Sequence, residues 1–216
     1  MRKFFLAAVL VLMASGAQAV TLDVVGGQLM GASNVLVDGS LYDVQFLDGS
    51  CIDLYNGCND PLDFTFNTEA SASLAMQALL DQVFLDQPCA WAGECNEWFD
   101  SAPYFTNGCE FNSSQPDQHC EVLVPVIPGD YFPGPWDPNY ASQVGVRSVT
   151  NYQEPGPWLD AVSPSTCCIV QNNLDSGPFP DVVWSVWQPV PEPSTALLLG
   201  LGLTGLAAKG RRRNRS

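Results

Sequence analysis

The sequence predicts an α+β domain, mainly antiparallel β (sandwich-like or a single sheet), with one packed helix and disulfide staples. Three observations carry that expectation. Two Asp-Gly pairs separate alternating apolar stretches, one segment alone shows sustained helical periodicity, and eight cysteines occur in 216 residues. Asp-Gly between alternating runs is the strongest short-range signal for a hairpin, because both turn positions need positive φ.

Taken in order, Thr21 to Val25 reads as a first strand. Val35-Leu36-Val37, the turn pair Asp38-Gly39, and Leu41 to Leu47 then read as a hairpin, with Asp48-Gly49 repeating the turn signal. In Leu41 to Leu47 the side chains of Tyr42, Val44 and Phe46 share one face and Asp43 and Gln45 the other, the pattern of a half-buried antiparallel strand. Phe64-Thr65-Phe66 is a short further element. Asn67 or Thr68 can cap a helix in which Glu69 meets the positive end of the dipole. Ala72, Ala75, Met76, Leu79, Leu80, Val83 and Phe84 recur at helical spacing until Pro88 stops the pattern, so Met76 and Phe84 are core residues. Glu121 to Ile127, Val144 to Thr150 and Val182 to Trp187 are the later strands. Pro125 to Pro138 and Glu154-Pro155-Gly156-Pro157 are loops. With no internal repeat and no long linker, residues 20–189 form one domain.

The two ends are of another kind. Arg2 and Lys3, an apolar run from Phe4 to Met13 and the small-x-small sequence Ala17-Gln18-Ala19 make residues 1–19 a signal peptide cleaved after Ala19. Ten apolar residues fall short of the roughly 20 that a spanning helix needs. Setting the ends aside changes the charge. Arg2, Lys3, Lys209, Arg211, Arg212, Arg213 and Arg215 are seven of the 8 basic residues, which leaves Arg147 alone in residues 20–189 against 22 of the 23 acids. A domain with a formal charge near −21 cannot replace the counterions of a phosphate backbone, so nucleic acid is excluded as a partner.

Cys51, Cys58, Cys89, Cys95, Cys109, Cys120, Cys167 and Cys168 are even in number and follow a signal peptide, which implies disulfides formed in an oxidising compartment. Proximity suggests Cys51 with Cys58, Cys89 with Cys95 and Cys109 with Cys120. Adjacent Cys167 and Cys168 favour separate partners, which would break one of those local pairs.

The tail, residues 190–216, has three parts: a rigid Pro191-Glu192-Pro193 elbow, an uncharged apolar segment from Thr195 to Ala208, and Lys209 with the Arg211-Arg212-Arg213 and Arg215 cluster. Fourteen residues of helix reach about 21 Å, short of a ~30 Å hydrocarbon core, but the basic end would stay cytoplasmic and leave the domain outside. Gly200, Gly202 and Gly205 suit close packing against another membrane helix. This order resembles the PEP-CTERM sorting signal of Gram-negative bacteria. The resemblance implies recognition of Pro191, Glu192 and Pro193 by an exosortase, a membrane cysteine peptidase. It also implies a membrane-anchored intermediate on the way to the cell surface or extracellular matrix, and a link with exopolysaccharide and biofilm.

No catalytic set stands out. His119 beside Cys120 would need a free thiol to act as a base-nucleophile pair, and an even cysteine count argues against one. Glu94 and Glu97 with Trp91 and Trp98 are the residue types of a glycoside hydrolase, though some acid beside a tryptophan is expected by chance among 22 acids. Asp53, Asp60 and Asp63 collect oxygen ligands of the kind calcium takes, without an EF-hand pattern; turn formation explains them equally. No phosphate loop, dinucleotide fingerprint, Gly-x-Ser-x-Gly or His-Glu-x-x-His is present. The expectation is therefore a non-enzymatic surface or matrix protein without a cofactor. The alternatives are a secreted glycan hydrolase and a calcium-stabilised adhesion module.

Overall fold

The computed structural model describes residues 19–85, 102–113, 118–128, 143–152, 159–163 and 168–191. Within these, eight strands form one sheet: β1 (Thr21–Val25), β2 (Gln28–Val37), β3 (Ser40–Leu47), β4 (His119–Pro128), β5 (Gln143–Tyr152), β6 (Ala161–Val162), β7 (Cys168–Gln171) and β8 (Val182–Pro189). Their order is β1-β2-β3-β8-β4-β5-β6, with β7 also pairing β5. Of the two expected arrangements the single sheet is the one formed. All pairs are antiparallel except β4 with β8, which run parallel from Glu121↔Val182 to Leu123↔Trp184.

The first Asp-Gly pair makes the expected hairpin: Asp38 and Gly39 have φ of 47° and 83°, and Val37 pairs Ser40 across the turn. The second does not. After Asp48-Gly49 the chain enters a helical turn, α1 (Cys51–Leu54), because Ser50 caps it by accepting from the Asp53 N–H. A further hairpin, unannounced by Asp-Gly, turns at Gly26 and Gly27, both at positive φ, and joins β1 to β2. Phe64-Thr65-Phe66 is not a strand: Phe64 is extended and the chain bends at Thr65 and Phe66. Its two rings are buried while the Thr65 hydroxyl donates to the Trp187 carbonyl.

The long helix, α2 (Glu69–Gln82), starts where expected. Thr68, not Asn67, is the cap, in a capping box with Ser71. The helix stops at Gln82, ahead of Pro88. Gln82 then bonds both the N–H and the carbonyl of Leu36, tying the helix end to β2. Ala72, Ala75, Met76 and Leu79 are fully buried against Leu29, Val35, Val44, Phe46, Val122, Val124, Val149 and Val183, and the Phe84 ring stacks on Phe46 at 5.7 Å.

The opposite face of the sheet has its own cover. Cys51 of α1, Tyr55 and Cys58 after it, and Phe64 after the 3-10 turn Pro61–Asp63 pack on Leu123, Val144, Val146 and Trp184. Alternation along β8 therefore sends Val183 to one core and Trp184 to the other, so both faces of this central strand are buried. Within the second core the Tyr55 hydroxyl donates to the Ser185 carbonyl at 2.7 Å. Burial drives the Tyr55 phenol upward in pKa, so it stays a neutral donor.

Candidate functional site

Two of the expected disulfides are present, Cys51–Cys58 and Cys109–Cys120, with Cα separations of 5.7 and 5.8 Å. Cys120 is therefore no thiol, and the Cys120–His119 nucleophile pair falls with it. His119 opens β4, pairs in register with Tyr152, and has Nε2 3.5 Å from Oδ2 of Asp181. Cys168 lies in β7 opposite Val146. Cys89, Cys95 and Cys167 lie outside the described residues, as do Trp91, Glu94, Glu97, Trp98, Ala17, Glu192 and Pro193. Ala19 and Pro191 are the first and last residues described.

The aspartates of the Cys51–Cys58 region bond their own loop. Asp53 Oδ2 accepts from the Ser50 hydroxyl at 2.6 Å. Asp60 caps the Pro61–Asp63 turn by accepting from the Leu62 N–H, and Asp63 accepts in return from the N–H groups of Asn59 and Asp60. This is the turn chemistry open to short polar side chains. Among the described residues no group of three or more His, Cys, Asp or Glu is placed to hold a metal.

Among the described residues, a hollow lies at each of the two covered faces. One, of about 150 Å³, is mostly apolar: Leu123, Val170, Leu174, Phe179, Val182 and Trp184 line it, with Glu121 and Ser176 as the polar members of its wall. Beside it the chain is knotted together by polar groups: Ser176 donates to Asp48 Oδ1, Gly49 N–H donates to the Ser176 hydroxyl, and the Trp184 indole donates to the Gly49 carbonyl. The other hollow, of about 270 Å³, opens between the β2–β3 turn and the start of α2, with Asp38, Ser40, Tyr42, Phe66, Asn67 and Leu74 in its wall. Tyr42 packs on Phe66 at 5.0 Å and edge-on to Trp187 at 6.3 Å, so its ring is held by the core while remaining half exposed. Thr68 and Ser71 are occupied with each other in the capping box. Among the described residues, the Asp38 carboxylate, the Ser40 and Tyr42 hydroxyls and the Asn67 amide make no side-chain hydrogen bond.

This grouping was invisible in the sequence. Asp38 read as a turn former, Tyr42 as a core-facing strand residue and Asn67 as a possible cap. A cue exists only in hindsight: once Thr68 takes the cap, the Asn67 amide is released.

Partial burial holds the Asp48 carboxyl above its usual range, and the nearby Asp175 and Glu110 push the same way against the Ser176 hydrogen bond. The folded state thus binds that proton more tightly than the unfolded chain, so Asp48 weakens the fold as pH rises through its folded-state pKa. Asp48→Asn, which keeps an oxygen for Ser176, is expected to raise Tm modestly at pH 7 and to lose that advantage as pH falls below the ordinary value of 3.8. Equal Tm differences at both pH values would refute this account.

The family model for the PEP-CTERM protein-sorting motif matches residues 189–213. The tail is therefore a PEP-CTERM sorting signal, the mark of an exported protein recognised by an exosortase and directed to the surface. No curated protein and no solved structure matches the chain. The apolar segment expected from Thr195 to Ala208 lies outside the described residues. Among those described, no helix is long and apolar enough to cross a membrane.

Proposed function

We propose that this is a non-enzymatic protein of the cell surface or exopolysaccharide matrix, released to that location by exosortase processing and binding the producer's own polysaccharide. The sorting motif at residues 189–213 carries the reading. The closed disulfides of residues 20–189 suit an oxidising exterior, and a charge near −21 on that part keeps it soluble among polymers. Before processing, the Thr195 to Ala208 segment holds the chain in the membrane with the Arg211-Arg212-Arg213 cluster on the cytoplasmic side.

Deleting residues 190–216 in the producing cell is expected to remove the protein from the matrix fraction, and the intact chain is expected to co-sediment with polysaccharide from that matrix. Matrix recovery unchanged by the deletion, together with no co-sedimentation, would overturn the proposal.

A further inference from the structure

We infer that the hollow between the β2–β3 turn and the start of α2 is a subsite for one non-anionic pyranose ring of a polysaccharide, a site that rests on the binding function proposed above. Its volume of about 270 Å³ lies below the ~300 Å³ at which pockets for drug-sized molecules begin, a size for one ring rather than a large ligand. The chemistry of the wall is that of a sugar. A pyranose presents hydroxyls around its rim, each a donor and an acceptor, and patches of C–H on its faces. The hollow offers a carboxylate acceptor (Asp38), two hydroxyls (Ser40, Tyr42) and a carboxamide with both donors and an acceptor (Asn67), while Tyr42, Phe66 and Leu74 supply apolar surface.

These polar groups are available. The neighbouring Thr65, Thr68 and Ser71 hydroxyls serve Trp187 and the helix cap, whereas the four named groups make no side-chain hydrogen bond among the described residues. The Tyr42 ring is in place before a ligand arrives, wedged against Phe66 and Trp187, and loses little freedom on binding. Asp38, in a tight turn with φ of 47°, Ser40 and Asn67 are exposed beside it.

Charge selects the sugar. Among the described residues the wall holds no Lys, Arg or His, and the one Arg of residues 20–189, Arg147, is buried elsewhere on β5. Uronate, sulfate and phosphate groups would meet Asp38 with no cation to pair them. Neutral hexoses and amino sugars meet no such penalty, and an ammonium group would gain from Asp38.

The test uses the full chain in detergent, titrated calorimetrically with a neutral glucan, with chitosan and with alginate. Binding to glucan or chitosan is expected, with alginate weakest. Tyr42→Phe, which keeps the ring, and Asn67→Ala should each weaken binding about threefold to tenfold, the loss of one hydrogen bond, with Tm unchanged. Asp38→Asn, which preserves the turn, should lower chitosan affinity more than glucan affinity. If the chain binds glycan and all three variants bind equally well, the subsite is wrong and the binding function stands. If alginate binds best, Asp38 does not select against anionic sugars and the subsite is wrong. If none of the three polymers binds, both the subsite and the glycan-binding reading fail.

Discussion

Gly31→Ala is expected to destabilise the fold by about 3 kcal/mol or more, the upper part of the range for inserting atoms into a packed interior. A Cβ at this position would lie 2.1 Å from the Val44 carbonyl oxygen and 3.0 Å from the Gln45 Cα. Both are backbone atoms of β3, so no rotamer change can make room. Gly31 also pairs Asp23 of β1 and Gln45 of β3, with a register irregularity on either side, between Asp23 and Val24 and between Ala32 and Val35. The second irregularity is built by Asn34, at φ 62°, whose N–H is taken up by Asp43 Oδ1 at 3.0 Å. Relief of the clash must therefore move β3 away from β2, with loss of ladder hydrogen bonds and of Val44 and Phe46 packing under α2. Domains of this kind are stable by only about 5–15 kcal/mol, so the variant should show a much lower urea midpoint or fail to accumulate. A midpoint equal to that of the parent would mean that the close approach of β2 and β3 is not as described.

Removing the Cys109–Cys120 disulfide is expected to cost about 3 kcal/mol, the chain-entropy value for a closed loop of this length. The bond matters beyond loop closure because of where it lies. Both sulfurs are in the main core, and Cys120 belongs to β4, the strand held between β8 and β5. It anchors the 102–113 segment, whose Asn107 amide bonds the Phe46 carbonyl and whose Gly108 leaves only a narrow gap to Val183 and Asp48. Cys109→Ala with Cys120→Ala should lower the urea midpoint clearly, and dithiothreitol should lower that of the parent while affecting the double variant less. The Cys51–Cys58 bond closes a shorter loop and should contribute slightly less. An unaltered midpoint in the double variant would remove the staple from the account of stability.

Much of the architecture was legible because its signals are local. Positive φ at Asp38 and Gly39 is a property of two residues, and the α2 stripe from Ala72 to Phe84 repeats within one element. Thr68 and Asn67 both suit an N-cap, so the sequence allowed either; Ser71, three residues after Thr68, completes the box that decides it. The second Asp-Gly pair misled because a turn signal does not specify the element after the turn. Ser50 and Asp53 cap a helical turn at the very point where a returning strand was one possibility. Strands β6 and β7, of two and four residues, are too short to carry a period and exist only because β5 offers them an edge.

The candidate sites divide in the same way. The sorting tail is a linear signal read as a peptide, so Pro191, Glu192 and Pro193 and the charges beyond them were recognisable without any fold. Eight cysteines and the placement of seven of the 8 basic residues in the two ends were equally a matter of composition. The placement of β8 between β3 and β4 was decided only by the tertiary structure, since it depends on which apolar faces can be buried together across more than a hundred residues. That same folding brings Asp38, Tyr42 and Asn67 to one hollow. The physical reason is range: turn, cap and targeting preferences act over a few residues and are written in their order, whereas a wall drawn from a turn, a strand and a helix start comes into being only when the cores beneath it close.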